Sequence, residues 1–161
     1  MNTQDITKSL TTLFSELAEG APKKGSFMLN GGDPGLLKSL DKLSAAAASA
    51  TTQGGASVAA HSDHLRYGLS LMNRWAKGEN PWSTADWTQS WKKNRVSDSE
   101  WKTLRAELTR EVRDWYANLS QSRTVDEAEL TGLISTIPHF AYHVGAIRQI
   151  NRDARGPGAE D

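Results

Sequence analysis

The sequence predicts an all-α protein, and three observations support that fold class. Four segments carry apolar residues at the spacing of an amphipathic helix, with side chains typical of helix caps near several of their ends. No alternating apolar and polar run is long enough to predict a β-strand. A length of 161 residues suits one compact domain with a sizeable core. We therefore expect a four-helix bundle with short extra helices in its connections.

The first predicted helix covers residues 5–18, where the apolar side chains form a single stripe. Gly20 lies just beyond the stripe and ends the helix. After a glycine-containing loop, Asp33 has the position of an N-cap, and Pro34 that of a first helical residue. These two residues predict a short amphipathic helix in the connection to the next long helix.

The middle of the chain contains one long predicted helix and one short one. Residues 45–57 are interpreted as a helix end followed by a flexible loop. Ser57 is the predicted N-cap of a long helix over residues 58–77. Beyond it, Ser83 could cap a short helix that ends near Trp91.

Two capping boxes mark the beginnings of the last two helices. Ser97 with Glu100 has the spacing at which two side chains satisfy each other's backbone N–H groups. Thr124 with Glu127 has the same spacing and predicts the start of the last helix, which reads as helical over residues 130–151. We expect a single domain over residues 1–153 and a flexible tail over 154–161.

Composition limits the classes of protein to which this chain can belong. Nineteen basic and 19 acidic residues cancel, so a nucleic-acid-binding basic face is not expected. Cysteine is absent, which excludes thiolate metal sites and leaves histidine and carboxylates as the strong ligands. The N-terminus lacks the pattern of a signal peptide, and no apolar run approaches the roughly 20 residues of a membrane span. We expect a cytoplasmic protein that binds neither nucleic acid nor membrane.

All four histidines fall in two of the long predicted helices. His139 and His143 are four residues apart, so helical geometry places them on one face, one turn apart. His61 lies within the apolar stripe of the 58–77 helix, and His64 lies about 60° around its axis. Pro138 precedes the first of the C-terminal pair and marks either a kink or a helix start.

Three imidazoles could hold a divalent metal if the two helices meet. A random histidine pair at this spacing is more often part of an ordinary core. The clustering of all four histidines in two apolar helices favours a metal site of His61, His139 and His143, with His64 as the alternative to His61. Five tryptophans between residues 75 and 101 are read as core or loop anchors, with a substrate-pocket wall as the alternative.

At these residues the sequence resembles the DinB/YfiT-like superfamily of helical-bundle proteins. The segments that carry the resemblance are residues 30–37, 57–67, 73–81 and 139–149. The most specific is the last, which reads H-x-x-x-H-x-G-x-I-R-Q. The resemblance implies an up-up-down-down four-helix bundle, often dimeric. It also implies a three-histidine site for a divalent metal, typically nickel or zinc, with iron as a further candidate.

Two functions follow from the resemblance and the histidines. The first is a metal-dependent enzyme, a thiol S-transferase using a low-molecular-weight thiol, or a hydrolase. The second is a non-enzymatic, stress-related bundle that binds metal and acts as a dimer. The sequence offers no carboxylate or serine clearly poised as a general base, so whether the protein is an enzyme stays open at this stage.

Overall fold

A computed structural model describes residues 2–158 and confirms the all-α class. Its α-helices are α1 (Gln4–Glu19), α2 (Gly35–Asp41), α3 (Ala45–Ser49), α4 (Val58–Ala76), α5 (Asp98–Leu119) and α6 (Glu127–Ile150). Short 3-10 helices cover Pro81–Thr84, Gln89–Trp91 and Arg152–Ala154. Over these residues, β structure is limited to a single bridge between Asn2 and Thr124. Every helix described falls short of the length and apolarity that a bilayer crossing needs.

The long helices α1, α4, α5 and α6 enclose the core. Helix α5 packs along α4, while α1 packs against α5 and α6, and α6 packs against α4. Phe14 of α1 and Phe140 of α6 meet edge-to-face, with ring centroids 5.2 Å apart. The indole N–H of Trp115 in α5 donates to the hydroxyl oxygen of Thr136 in α6 at 3.2 Å. Such contacts seat α6 on the core, and its histidine-bearing face is thereby turned towards α4.

Two of the predicted helix starts are confirmed. The Ser57 side chain accepts from the third residue of α4, and α4 begins at Val58 as expected. Ser97 and Glu100 form the predicted capping box at the start of α5. These caps depend on side chains within one turn of the helix, so the local sequence is sufficient to specify them.

The predicted capping box of the last helix is wrong by two residues. Asp126 and Glu129 form the box, and α6 begins at Glu127. Thr124 instead lies in the bridge to Asn2, which holds its backbone in an extended conformation. The sequence offers two capping-box patterns two residues apart, and the tertiary contact of Thr124 decides in favour of the later one.

The connection between α4 and α5 lacks the α-helix expected from Ser83 to Trp91 and contains two 3-10 helices instead. Between them, the Asp86 carboxylate accepts from the backbone N–H of Thr88 at 3.0 Å. The backbone N–H of Asp86 donates to the Tyr67 hydroxyl of α4 at 2.8 Å. An aspartate that binds the backbone two residues ahead forms a turn, and this turn interrupts the predicted helix.

The start of α2 lies one residue later than predicted, because Pro34 is the N-cap and Gly35 the first helical residue. The Asp33 carboxylate accepts from the backbone N–H of Gly35 at 2.8 Å. The same carboxylate oxygen accepts from the guanidinium of Arg148 in α6 at 2.7 Å. Asp33 is almost fully buried, so this ion pair fastens the α1–α2 loop to the C-terminal helix.

The chain beyond α6 lies against the same loop. Ala154 is fully buried, and the Asn30 side-chain amide donates to the carbonyl of Pro157 at 2.8 Å. The domain boundary at residue 153 and the flexibility of the tail stay predictions. Residues 159–161 of the predicted tail lie outside the described residues.

Two glycines of α6 provide a matched test of the packing. A Cβ on Gly132 would lie 2.6 Å from the ring of Trp75, whereas a Cβ on Gly145 would meet nothing within 4 Å. We expect Gly132→Ala to lower the free energy of unfolding by about 1–3 kcal/mol through overpacking. Gly145→Ala should raise it by up to about 1 kcal/mol through helix propensity. Urea titrations of the two variants check this, and shifts of the same sign would contradict the contact between Trp75 and Gly132.

Candidate metal site

Helices α4 and α6 bring all four histidines together. His61 and His64 lie one turn apart on α4, and His139 and His143 lie one turn apart on α6. His143 is 1% exposed, His61 and His64 are 7% exposed, and His139 reaches the surface. Pro138 lies inside α6 rather than at its start. The predicted meeting of the two histidine-bearing segments is therefore confirmed.

Three of these rings converge on one point. The Nε2 atom of His139 lies 3.3 Å from Nε2 of His64 and 3.1 Å from Nε2 of His143. His64, His139 and His143 each offer one ring nitrogen, and these nitrogens all lie within 4.8 Å of one another. Three nitrogen lone pairs this close repel one another unless a proton or a metal cation lies among them. The group could therefore hold a metal ion.

Two of the three nitrogen–nitrogen separations are close to those that a metal would require. With zinc–nitrogen bonds of about 2.0–2.1 Å and tetrahedral geometry, two ligand nitrogens lie about 3.3 Å apart. The two measured separations, 3.3 and 3.1 Å, are close to this value. Among residues 2–158 no carboxylate belongs to the group, so the donor set consists of imidazoles. Imidazole ligands suit zinc, nickel, copper and iron, and so leave the identity of the metal open.

A hydrogen-bond chain sets the tautomer of His64. The hydroxyl of Ser90 donates to the carbonyl of Trp87 at 2.8 Å, so its proton is already used. The Ser90 oxygen lies 2.9 Å from Nδ1 of His64 and therefore accepts from it. With its proton on Nδ1, the His64 ring presents an Nε2 lone pair to the other two histidines. Trp91 stacks on one face of this ring, with the ring centroids 4.2 Å apart, and so restricts its plane.

His61 lies behind His143 and outside the three-histidine group. Its Nδ1 atom is 2.8 Å from Nδ1 of His143, on the side of that ring away from His139. If Nε2 of His143 binds a metal, its Nδ1–H donates to His61, which then orients the ligand. The structure thus groups the alternative residue, His64, with the C-terminal pair, and gives His61 a supporting position.

Burial keeps the two innermost rings uncharged. Burial, followed by repulsion from His139 and His61, lowers the pKa of His64 to about 4. Burial and the neighbouring histidines lower the pKa of His143 to about 3. Burial also lowers the pKa values of His61 and His139. Neutral imidazole is the form that binds metals, so the site is ready for a cation at neutral pH.

Asp63 lies between His61 and His64 in the sequence of α4. It is buried, and its carboxylate accepts from Nε of Arg66 at 2.7 Å, with the Lys93 ammonium 3.8 Å away. Its role is thus an ion pair beside the histidines. Ser90, by contrast, carried no signal in the sequence. It stands in a polar connection between tryptophans, and only the fold places its hydroxyl on His64.

A cleft of about 350 Å³ opens beside His139 between α4, α6 and the connection that follows α4. Trp82 and Trp87 line it and keep 41% and 40% of their surfaces exposed. Trp101, in contrast, is 2% exposed and belongs to the core. Of the predicted tryptophan anchors, Trp82 and Trp87 thus wall a cleft at the histidine site.

No protein-family model, curated protein or solved structure matches this chain. The site is therefore interpreted from its own geometry.

The lowered histidine pKa values predict a pH-dependent stability of the metal-free protein. An unfolded histidine takes up its proton near pH 6.5, whereas His64 resists protonation down to about pH 4 and His143 to about pH 3. Between these pH values the unfolded state binds more protons than the folded state. The stabilisation that comes from keeping these two rings neutral is therefore complete above pH 6.5 and is lost as the pH falls. We expect the urea midpoint to fall steadily between pH 7 and pH 5.

The His143→Phe variant is the control for this titration. It removes the ring with the lowest pKa and should flatten the pH dependence over the same window. The exposed carboxylates Asp86 and Glu100 have lowered pKa values and titrate below this window. A wild-type midpoint that does not change between pH 7 and pH 5 would contradict the burial of neutral histidines.

Proposed function

We propose that this chain is a divalent-metal-binding protein of the DinB/YfiT-like class, in which His64, His139 and His143 hold the metal. The observation that carries the proposal is the convergence of three Nε2 atoms, with the lone pair of His64 aimed inward by Ser90. The four long helices would form the up-up-down-down bundle of that class. Zinc and nickel are the favoured metals, and iron is the third candidate.

We propose an enzymatic role in the first place. Three protein ligands are typical of catalytic sites, whereas structural zinc sites usually have four. When bound, a divalent metal lowers the pKa of a coordinated water or thiol and so supplies a nucleophile near neutral pH. His139 reaches the surface beside the cleft, so a small thiol or other substrate could approach from there. Thiol S-transfer and hydrolysis are the two reactions that such a site supports.

The second candidate is a non-enzymatic bundle whose metal is structural. It is favoured by the burial of His64 and His143 and by the lack of a carboxylate in the described group that could act as a base. The resemblance also suggests a homodimer. Ile134 and Tyr142, which are 48% and 66% exposed on α6, would be candidates for its interface.

Alanine variants separate the proposed ligands from the supporting residues. After zinc or nickel loading and gel filtration, the wild type should retain one metal per chain, measured by elemental analysis. His64→Ala, His139→Ala and His143→Ala should lose stoichiometric metal. His61→Ala and Ser90→Ala should retain it with an affinity about 10- to 100-fold lower, because they only orient ligands.

Ser120→Ala is the matched control for Ser90→Ala. Its hydroxyl donates to a helix carbonyl, that of Tyr116, on the exposed surface, so metal affinity should not change. Loss of metal in His61→Ala with retention in His64→Ala would exchange the roles of those two residues. A wild-type protein that takes up no divalent metal would contradict the proposal.

Chelation distinguishes the enzymatic role from the structural one. If the metal is catalytic, removing it should abolish thiol-conjugating or hydrolytic activity in a substrate screen and lower the melting temperature only slightly. If the metal is structural, the same treatment should unfold the protein or lower its melting temperature strongly. Differential scanning calorimetry with and without chelator, on the samples used for the screen, decides between the two.

A further inference from the structure

The cleft beside His139 offers an uncharged lining to a ligand. Among the described residues, no aspartate, glutamate, lysine or arginine lines it, and His139 is the only ionisable side chain in the lining. Both hydroxyl groups in the lining already donate their protons to α6 carbonyls. Ser135 donates to Gly132 at 2.9 Å, and Thr136 donates to Leu133 at 2.8 Å. Burying a charged ligand group here would cost free energy without a compensating ion pair.

Aromatic surfaces form one wall of the cleft. Trp87 meets Tyr67 edge-to-face at 5.6 Å, and Trp82 meets Trp75 edge-to-face at 5.9 Å. Each cleft tryptophan is therefore held from one side by a second aromatic ring. About two-fifths of each indole nevertheless stays exposed. An indole ring that is fixed by one aromatic neighbour and exposed elsewhere is suited to contact with another aromatic molecule.

Gly68 is the residue of this cleft that the packing does not explain. It lies in the middle of α4, where glycine is about 0.5–1 kcal/mol less favourable than alanine. A Cβ at this position would lie 3.5 Å from the Trp87 ring and 3.8 Å from Cε1 of His139, which are ordinary contact distances. A Cβ at Gly132, in contrast, would lie 2.6 Å from the Trp75 ring, so that position needs glycine.

The missing side chain of Gly68 leaves a gap between the cleft and the histidines. Cε1 of His139 is bonded to Nε2, the nitrogen that faces His64 and His143. A methyl group on Gly68 would touch both Trp87 and this carbon, and would fill the gap. The glycine thus leaves space between Trp87 and His139 that a methyl group could fill at no cost to the fold.

We propose that the cleft binds a small, uncharged aromatic molecule, which passes Gly68 to reach the three-histidine site. The second half of this inference is that a polar group on the ligand reaches the metal, and this half rests on the proposed function. The first half, binding in the cleft, depends only on the lining of the cleft.

Ethylbenzene is the probe for the cleft alone, because it cannot coordinate a metal. We expect saturable binding of ethylbenzene to the metal-free protein by NMR titration, with shifts at Trp82 and Trp87. The charged analogue 4-ethylbenzoate should bind at least about tenfold more weakly, because its carboxylate finds no partner. Equal affinity for the two probes, or no binding of ethylbenzene, would overturn the proposal.

Gly68→Ala is the test of the passage, and Gly145→Ala is its matched control. Both add a methyl group to a helical glycine, and Gly145 has open space around it. Both variants should melt at or above the wild-type temperature. Only Gly68→Ala should weaken ethylbenzene binding, by about tenfold or more, as expected for one extra methyl in a close-fitting site. Unchanged binding in a folded Gly68→Ala variant would overturn the role of Gly68.

Benzyl mercaptan tests delivery to the site. With cobalt in place of zinc, the wild type and Gly145→Ala should develop a thiolate-to-metal absorption band at lower thiol concentrations than Gly68→Ala. Ethylbenzene binding without cobalt uptake would support the cleft and remove the proposed metal function. Cobalt uptake without binding of either aromatic probe would leave the metal site intact and overturn the cleft proposal.

Discussion

The contact between α4 and α6 at the histidines is the interaction on which the rest of the site depends. It brings Nε2 of His139 to within about 3 Å of two other ring nitrogens. The lone pairs of neighbouring neutral imidazoles repel one another. Protonation of one ring would relieve this repulsion, but burial penalises the charged form, so the cluster is unfavourable by itself. The surrounding core, including the edge-to-face pair of Phe14 and Phe140, holds the helices in this register. The fold therefore supplies the stability that the site does not.

Polar groups around the cluster decide which nitrogen atoms are available. The carbonyl of Trp87 orients the Ser90 hydroxyl, and that hydroxyl orients His64. His61 occupies the far side of His143 in the same manner. Helices α4 and α6 supply the imidazole rings, and the connection after α4 supplies Ser90, which sets the tautomer of His64. The connection after α4 thus contributes to the site as much as the helices do.

That connection also joins the histidine site to the cleft. The carbonyl that begins the hydrogen-bond chain belongs to Trp87, whose indole ring lines the cleft and faces Gly68. Occupation of the cleft and orientation of His64 therefore involve the same residue.

Much of the fold could be read from local patterns. Helix caps at Ser57 and Ser97 depend on atoms within one turn, and the sequence predicted both. The start of α6 was missed because two capping boxes compete there, and the bridge between Asn2 and Thr124 decides in favour of the later one. The prediction of a short α-helix after α4 was wrong because a turn at Asp86 interrupts it. The first error arose where a contact distant in sequence outweighed a local preference, and the second where a local turn interrupts the helix.

The sequence by itself determined that His139 and His143 share a helix face, because the period of the α-helix allows no other arrangement. It also determined that the donors are imidazoles, because cysteine is absent. Only the tertiary structure groups His64, rather than His61, with the C-terminal pair. Those two rings lie about 60° apart around α4, and their direction depends on how that helix is rotated against α6 and the tryptophan-bearing connection. Helical rotation is a property of packing between segments, so no local pattern in the chain could specify it.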